Sequence, residues 1–383
     1  MELSDSVRER YTREPFSARQ AQRLAEFIAW GPVAFQVSRL MIKFGVLDTL
    51  RDASEGLTAS EVAKACDISD YAARCLLEAS LSVGTVLADA DSGRYSLSKT
   101  GWFLLNDPAT RVNIDFVNDV CYEGLFRLEE SLHEGRPAGL EHFGSWPTIY
   151  EGLSSLPADA QRSWFAFDHF YSDSSFDEAL DVVFASNPRT LLDVGGNTGR
   201  WALQCVGRSS DVSVVIADLP QQIEMMRKAV SGKLGSERIA GYGVNMLDPQ
   251  SSLPLSPSAA GMAEASASSF DVIWLSQFLD CFSDDEVVMI LRKAASIMSA
   301  DSRLYIMETL WGRQRFEPAS LCLTMTSIYF TAMANGNSKM FRGDDLVALI
   351  EKAGMEVEEI HDNLGQGHSI LKVRKKGYGG LEM

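Results

Sequence analysis

A chain of 383 residues, 46% hydrophobic and 23% charged, has the length and composition of two or three globular domains with sizeable cores. Its 52 acidic against 35 basic residues give a formal charge of −17, a field that repels nucleic acid and anionic membranes. Six scattered cysteines without CxxC or Cys/His spacing argue against a disulfide framework or a zinc site and fit a reducing cytoplasm.

The N-terminal MELSDSVRERYTREPFSARQ is charged, with no apolar secretory signal, and no later run approaches the ~18–20 apolar residues of a membrane helix. Residues 19–50 read as helix interrupted at Gly31-Pro32, with Phe35, Leu40, Phe44 and Leu47 at helical intervals and Gly45 as a stop. In GLTASEVAKAC, Thr58 and Glu61 make a capping-box pair ahead of Val62. DYAARCLLEASLSVG is a second helix ending at Gly84, and TVLADADSGRYSLSKTG gives two strands around a turn at Asp91 to Gly93. Helix, helix, hairpin is a winged-helix pattern. Its second helix carries Asp70, Arg74 and Glu78, a poor match to phosphate, so dimerisation or scaffolding is expected in place of DNA binding. From 104 to 180 the pattern is mainly helical, with breaks near Gly135-Arg136-Pro137 and Leu156-Pro157.

After Asn187-Pro188 the apolar runs TLLDV, VSVVIAD, FDVIWLS and RLYIMET alternate with helical segments. That alternation predicts a mostly parallel, doubly wound sheet buried on both faces. The Ser/Ala/Pro-rich residues 251–269 read as a surface insertion.

TLLDVGGNTGRWALQC is a strand, a glycine turn and a helix start. The dinucleotide fingerprint fits poorly, because Val194 stands where its first glycine belongs. The string fits Asp-x-Gly-x-x-x-Gly, carried by Asp193, Gly195 and Gly199 with Gly196 between them, a form that holds S-adenosylmethionine. Asn197 tolerates the left-handed backbone such a turn requires. VSVVIADLP ends in Asp218, nineteen residues after Gly199, where a carboxylate can accept from both ribose hydroxyls. In GYGVNMLDP, Asn245 can pair with an adenine edge and Met246 can lie on its face.

With these motifs the sequence resembles the plant- and polyketide-type small-molecule O-methyltransferases, dimers with a winged-helix-like N-terminal domain and a Rossmann-like S-adenosylmethionine fold. The resemblance covers most of the chain and is strongest over 167–342. DVGGNTG matches the family's DVGGGTG, DLP its ribose-binding strand end and VNML its GDMF. FDHFYSDSS matches the stretch whose final serine, here Ser175, contacts the cofactor. SQFLDCFSDDE matches KWVLHDWSDEE, and GNSKMFRGDDLVALIEKAGM matches GGKERTEKEWxxLxxxAGF. The resemblance implies that Ser175, Asp193, Gly195, Gly196, Gly199, Asp218, Leu219, Asn245, Met246, Ser276 and Gln277 hold the cofactor. It implies domains at 1–105 (winged-helix-like, dimerising), 106–185 (helical connector lining the substrate pocket) and 186–383 (methyltransferase). Asn245 stands for an Asp, Ser276 for a Lys and Met340 for a Glu. Asp280 stands for the family's catalytic His.

Within the acid cluster, Ser283 and Glu286 are an N-cap and N3 pair, and Asp284 and Asp285 fill the first helical turn, where the macrodipole favours anions. Asp280 precedes the cap, and three roles stay open for it: general base, substrate-orienting group or structural residue. A carboxylate near pKa ~3.9 serves poorly as a base unless burial raises it. Glu308 matches a Glu that orients the missing His and, without it, is expected to face substrate. His169 and His368 are the histidines placed to take over as base. Tyr171, Met325, Tyr329 and His368 are the candidate substrate residues; Met325, Ile328, Tyr329, Ala332 and Met333 also have core-like helical spacing.

The reading is a dimeric, cytoplasmic S-adenosylmethionine-dependent methyltransferase for a small aromatic or polyketide-like acceptor, with no metal, nucleic acid or membrane partner. Its rivals are a relative that keeps the cofactor but has lost or changed the transfer, by N-, C- or non-methyl chemistry, and a winged-helix regulator sensing a nucleoside ligand.

Overall fold

Two kinds of patterning run through the chain, and each builds its own core in the computed structural model, which describes residues 1–262 and 267–377. One compact unit comprises Met1–Arg13, Cys121–Pro157 and Tyr171–Met383; the other comprises Glu14–Val120 and Ala158–Phe170.

The smaller unit follows the helical reading closely. Helices Ala18–Ala29, Gly31–Lys43 and Val46–Arg51 are punctuated by Pro32 in a first turn and by Gly45 in the left-handed conformation. Thr58 accepts from the Glu61 amide and the Glu61 side chain accepts from Thr58 N–H, so the predicted capping box starts Ala59–Ala65. Asp70–Val83 ends at left-handed Gly84. Strands β1 (Val86–Ala88) and β2 (Tyr95–Leu97) pair antiparallel as the predicted hairpin. Met41, Leu47, Leu50, Val62, Leu77 and Val86 form the core. Helix Ala18–Ala29, by contrast, buries no residue in the single chain.

The larger unit is built on seven strands: β3 (Thr190–Val194), β4 (Ser213–Asp218), β5 (Ile239–Gly243), β6 (Val272–Ser276), β7 (Arg303–Thr309), β8 (Met355–Leu364) and β9 (His368–Lys375). Their order is β5-β4-β3-β6-β7-β9-β8, parallel through β7 and antiparallel at β9 and β8. The apolar runs are continuous because both faces are covered. Trp201, Cys205, Ile223 and Met226 pack on one face; Val287, Ile290, Leu291, Leu346 and Ile350 pack on the other. Strand order reverses between β3 and β6, which opens the crevice where such sheets bind ligands.

Two expectations need adjusting. The 251–269 segment is anchored, since Leu253 is buried in the sheet's core; residues 263–266 lie outside the described residues. On Glu317–Tyr329 and beyond, Tyr329, Ala332 and Met333 are buried as their spacing suggests, but Met325, one turn earlier on the same face, is 60% exposed. Among the described residues no helix is long and apolar enough to cross a membrane.

Candidate functional site

Strand β3 runs straight into the glycine turn. Gly195 has φ +77°, and a Cβ there would fall 2.4 Å from the Phe278 ring. Glycine is thus required at 195 both by backbone conformation and by space. A Cβ on Gly196 would fall 2.4 Å from Asp193 Oδ2. Asn197 takes φ +49° and Gly199 φ +80°, the left-handed geometry anticipated for the turn.

Asp193, the last acid of β3 before the turn, is buried, and its Oδ2 has no hydrogen-bond partner. Burial, then the nearby Asp218 charge, pushes its carboxyl up to about 8. A desolvated carboxyl without a donor leaves room for an incoming cationic group. Asp218, ending β4, accepts from Asn197 N–H at 2.9 Å through Oδ2 and from Leu219 N–H at 2.7 Å through Oδ1. Burial raises its carboxyl while these two bonds lower it. Asp218 therefore fastens the glycine turn to the end of the next strand.

The remaining cofactor candidates divide by environment. Asn245 is exposed and its Oδ1 accepts from Leu247 N–H, whereas Met246 is buried in the sheet's core. Ser276 ends β6 half-buried, and Gln277 follows with φ +45°. Gln277 N–H donates to Met307 O, while its side-chain Oε1 is buried without a partner. Ser175 is fully buried, with Oγ 2.7 Å from His368 Nδ1. His368, a candidate substrate residue, is itself fully buried; its Nε2 has no partner, and burial lowers the imidazole to about 4.

The loop after β6 carries the acids. The predicted Ser283/Glu286 capping box starts helix Asp284–Ile297, as the cluster's spacing implied. Glu308, the penultimate residue of β7, is fully buried; its Oε1 accepts from Phe278 N–H (3.1 Å) and Leu279 N–H (2.9 Å). Its Oε2 has no partner. Burial, then the Asp280 charge, pushes this carboxyl well above the usual range. Asp280 is 5% exposed. Cys281 donates its thiol to Asp280 Oδ1 at 3.6 Å, and Tyr150 donates its hydroxyl to Cys281 Sγ at 3.2 Å. Burial, then Asp280, pushes the thiol well up, so it is held protonated and unreactive. Tyr329 is buried and close enough that its charge would raise the Tyr150 hydroxyl. The structure thus joins Asp280, Glu308, Cys281, Tyr150 and Tyr329, and the Phe278 ring joins this loop to the glycine turn at Gly195.

Tyr171 is half-buried and Met325 exposed. His169 belongs to the smaller unit, where it lies 3.8 Å from Asp168 and stacks on Phe165. Tyr150 went unmarked in the sequence because nothing in its helix distinguishes it. Cys281 had a signal, its place directly after Asp280. Among the described residues no group of three or more His, Cys, Asp or Glu side chains is arranged to hold a metal ion.

These residues fit S-adenosylmethionine on two independent observations: a turn in which added Cβ atoms would collide, and a buried, donorless carboxyl at Asp193. Comparison with known proteins agrees with that fit. The family model described as "Dimerisation2-like domain" matches residues 22–95, and that described as "Methyltransferase domain" matches 167–360. The chain is 26% identical to "O-methyltransferase SfmM3" of Streptomyces lavendulae, covering 64% of this chain and 77% of that protein. It is 23% identical to "Mitomycin biosynthesis 6-O-methyltransferase" of the same organism, covering 86% and 87%. Among solved structures, the S-adenosylmethionine-dependent methyltransferase SibL aligns with TM-score 0.68 at 21% identity, over 92% of this chain and 98% of that one. The O-methyltransferase NcsB1, in complex with S-adenosylmethionine and 2-hydroxy-5-methyl naphthoic acid, aligns with TM-score 0.59 at 20% identity, over 89% and 96%.

Proposed function

The chain belongs to the methyltransferase domain family, and on that premise we propose that it methylates an oxygen of a small aromatic or polyketide-like acceptor, using S-adenosylmethionine. The observation that carries this reading is the Phe278 ring packed on Gly195, which sets the acid loop directly against the glycine turn. The cofactor, when bound, supplies an electrophilic sulfonium methyl group.

Asp193 would pair with its amino group and Asp218 with its ribose. Gly195, Gly196 and Gly199 would allow close backbone approach, with Leu219, Asn245, Met246, Ser276, Gln277 and Ser175 completing the surroundings. Asp280 would orient the acceptor hydroxyl, with Tyr171, Met325 and Tyr329 contributing to the acceptor's surroundings. Glu308 would hold the loop in place through the amides of Phe278 and Leu279. Alignment of acceptor and methyl group can by itself lower a barrier by roughly 7–11 kcal/mol in favourable cases, so a strong base is optional where the acceptor oxygen has already lost its proton to solvent, as in an acidic phenol or enolate.

We further propose a homodimer, because helix Ala18–Ala29 and its neighbour leave Phe27, Ile28, Trp30 and Val33 exposed in a segment matching a dimerisation domain. Six free cysteines support a cytoplasmic location. The Asp at 280 favours one second reading, a relative that binds the cofactor but performs different chemistry. Incubation with S-adenosylmethionine and a panel of phenols, followed by mass spectrometry, separates the two. Formation of S-adenosylhomocysteine with a methyl ether supports transfer; bound cofactor with no turnover on any acceptor would favour the second reading.

A further inference from the structure

Met1–Arg13 precedes both segments matched by the family models and packs on the larger unit, although the chain from Glu14 to Val120 builds the smaller one. This strap buries Leu3 and, within helix Asp5–Tyr11, Val7. Its polar contacts converge on Gly312, Arg313 and Gln314, just after β7. Ser4 N–H donates to Gly312 O at 2.8 Å, Ser4 Oγ donates to Gln314 O at 2.6 Å, and Glu2 lies 3.0 Å from Arg313 Nη1. From there the side chains run on to the hairpin of β8 and β9. Arg313 donates to both carboxylate oxygens of Asp362 at 2.9 and 2.7 Å, and Asp362 also accepts from Ser369 Oγ. Gln314 is buried and donates through Nε2 to Leu310 O and to Gly367 O. A Cβ on Gly367, where φ is +102°, would fall 2.2 Å from Gln314 Oε1. The same turn touches Ser175: a Cβ on Gly365 would fall 2.5 Å from its Oγ, and His368 Nδ1 lies 2.7 Å from that oxygen. Gln314 and Ser175 therefore grip one hairpin turn.

We propose that docking of the N-terminal strap and binding of S-adenosylmethionine are coupled through this turn, with Gln314 as the positioning residue between them. The inference rests on the cofactor reading of Ser175 and adds an element, distant in sequence, that sets its place. A close-packed path without room at Gly365 or Gly367 has little slack, so displacing Gln314 displaces the turn and the serine against it. Such coupling is reciprocal: whatever factor the docked strap adds to cofactor affinity, bound cofactor adds to strap docking.

The test uses the full chain, with S-adenosylhomocysteine as the probe. Hydrogen exchange read by mass spectrometry reports opening of the strap, and calorimetry reports affinity. In wild type, saturating probe should slow strap exchange by about fivefold or more. Val7→Asp, which puts a charge at a fully buried position, should undock the strap and weaken probe binding by about the same factor. Gln314→Leu removes the side-chain bridge and keeps the main-chain carbonyl that receives Ser4. With its thermal transition intact, it should leave strap exchange in the free protein near wild type, weaken probe binding and abolish the protection. General loosening would instead speed strap exchange in the free protein. Strap exchange that the probe leaves unchanged in wild type overturns the inference, whether or not either variant folds. Wild-type affinity in both folded variants overturns it too. In both cases the cofactor reading stands, because the probe still binds; a wild type that does not bind the probe removes that reading and the inference with it.

Discussion

Ser175 Oγ and His368 Nδ1 lie 2.7 Å apart, and neither residue exposes any surface. The other imidazole nitrogen is buried without a partner. An orphaned N–H costs more than an orphaned lone pair, which favours the tautomer with its proton on Nδ1, donated to Ser175. A residue that sequence alone offers as a base or substrate contact is here a neutral prop for a serine.

That arrangement makes stability depend on pH. Burial holds His368 at about 4 against 6.5 for the free side chain. Below pH ~6.5 the unfolded chain binds a proton that the native protein refuses, so this contribution is intact above 6.5 and is lost as pH falls towards 4. Its size is on the order of 3 kcal/mol. His368→Gln should flatten the fall in Tm over this window in scanning calorimetry; an identical slope in the variant would refute the assignment.

Asp193, held at about 8, keeps its proton at pH 7 in the free protein. Pairing with the cofactor's ammonium restores the ionised form, so S-adenosylmethionine binding at pH 7 should release close to one proton and tighten as pH rises towards 8. Titrations in two buffers of different ionisation enthalpy measure this directly. Heats independent of the buffer would rule out Asp193 as the ammonium's partner, and Asp193→Asn should abolish any proton release.

Asp218→Ala removes both the ribose partner and the two amide contacts that tie the glycine turn to β4. Cofactor affinity should fall at least about tenfold. The apoprotein should lose roughly 1–3 kcal/mol, because the stranded amides had charge-assisted bonds. Calorimetry and thermal melts check both; unchanged affinity would remove the ribose assignment.

At Asp280, orientation without base catalysis predicts that Asp280→Asn lowers turnover by less than about tenfold, well short of the ~10²–10⁴ lost with a general base. His169→Ala, assayed in parallel, tests whether that histidine supplies the base. A hundredfold loss for Asp280→Asn with cofactor affinity intact would make Asp280 the base.

The exposed row Phe27, Ile28, Trp30 and Val33 predicts a dimer that charge disrupts. Ile28→Glu with Val33→Glu should convert a dimer into a folded monomer by light scattering. A wild-type monomer at micromolar concentration would contradict the proposal.

Periodicity and punctuation in the sequence by themselves determined the elements: the capping pairs Thr58/Glu61 and Ser283/Glu286, the stops at Gly45 and Gly84, and the apolar runs that became β3, β4, β6 and β7. Such signals act within a few residues, through backbone sterics and nearest hydrogen bonds, so they are legible locally. The glycine turn was legible for the same reason. Tertiary structure alone decided the partners. Phe278 covers Gly195, Tyr150 reaches Cys281 across 131 residues, Glu308 turns to the amides of Phe278 and Leu279, and His368 props Ser175. Each of these contacts depends on strand order, with β6 inserted beside β3 and β9 beside β7. No local period encodes that order, which is fixed by how the faces of the whole sheet are buried.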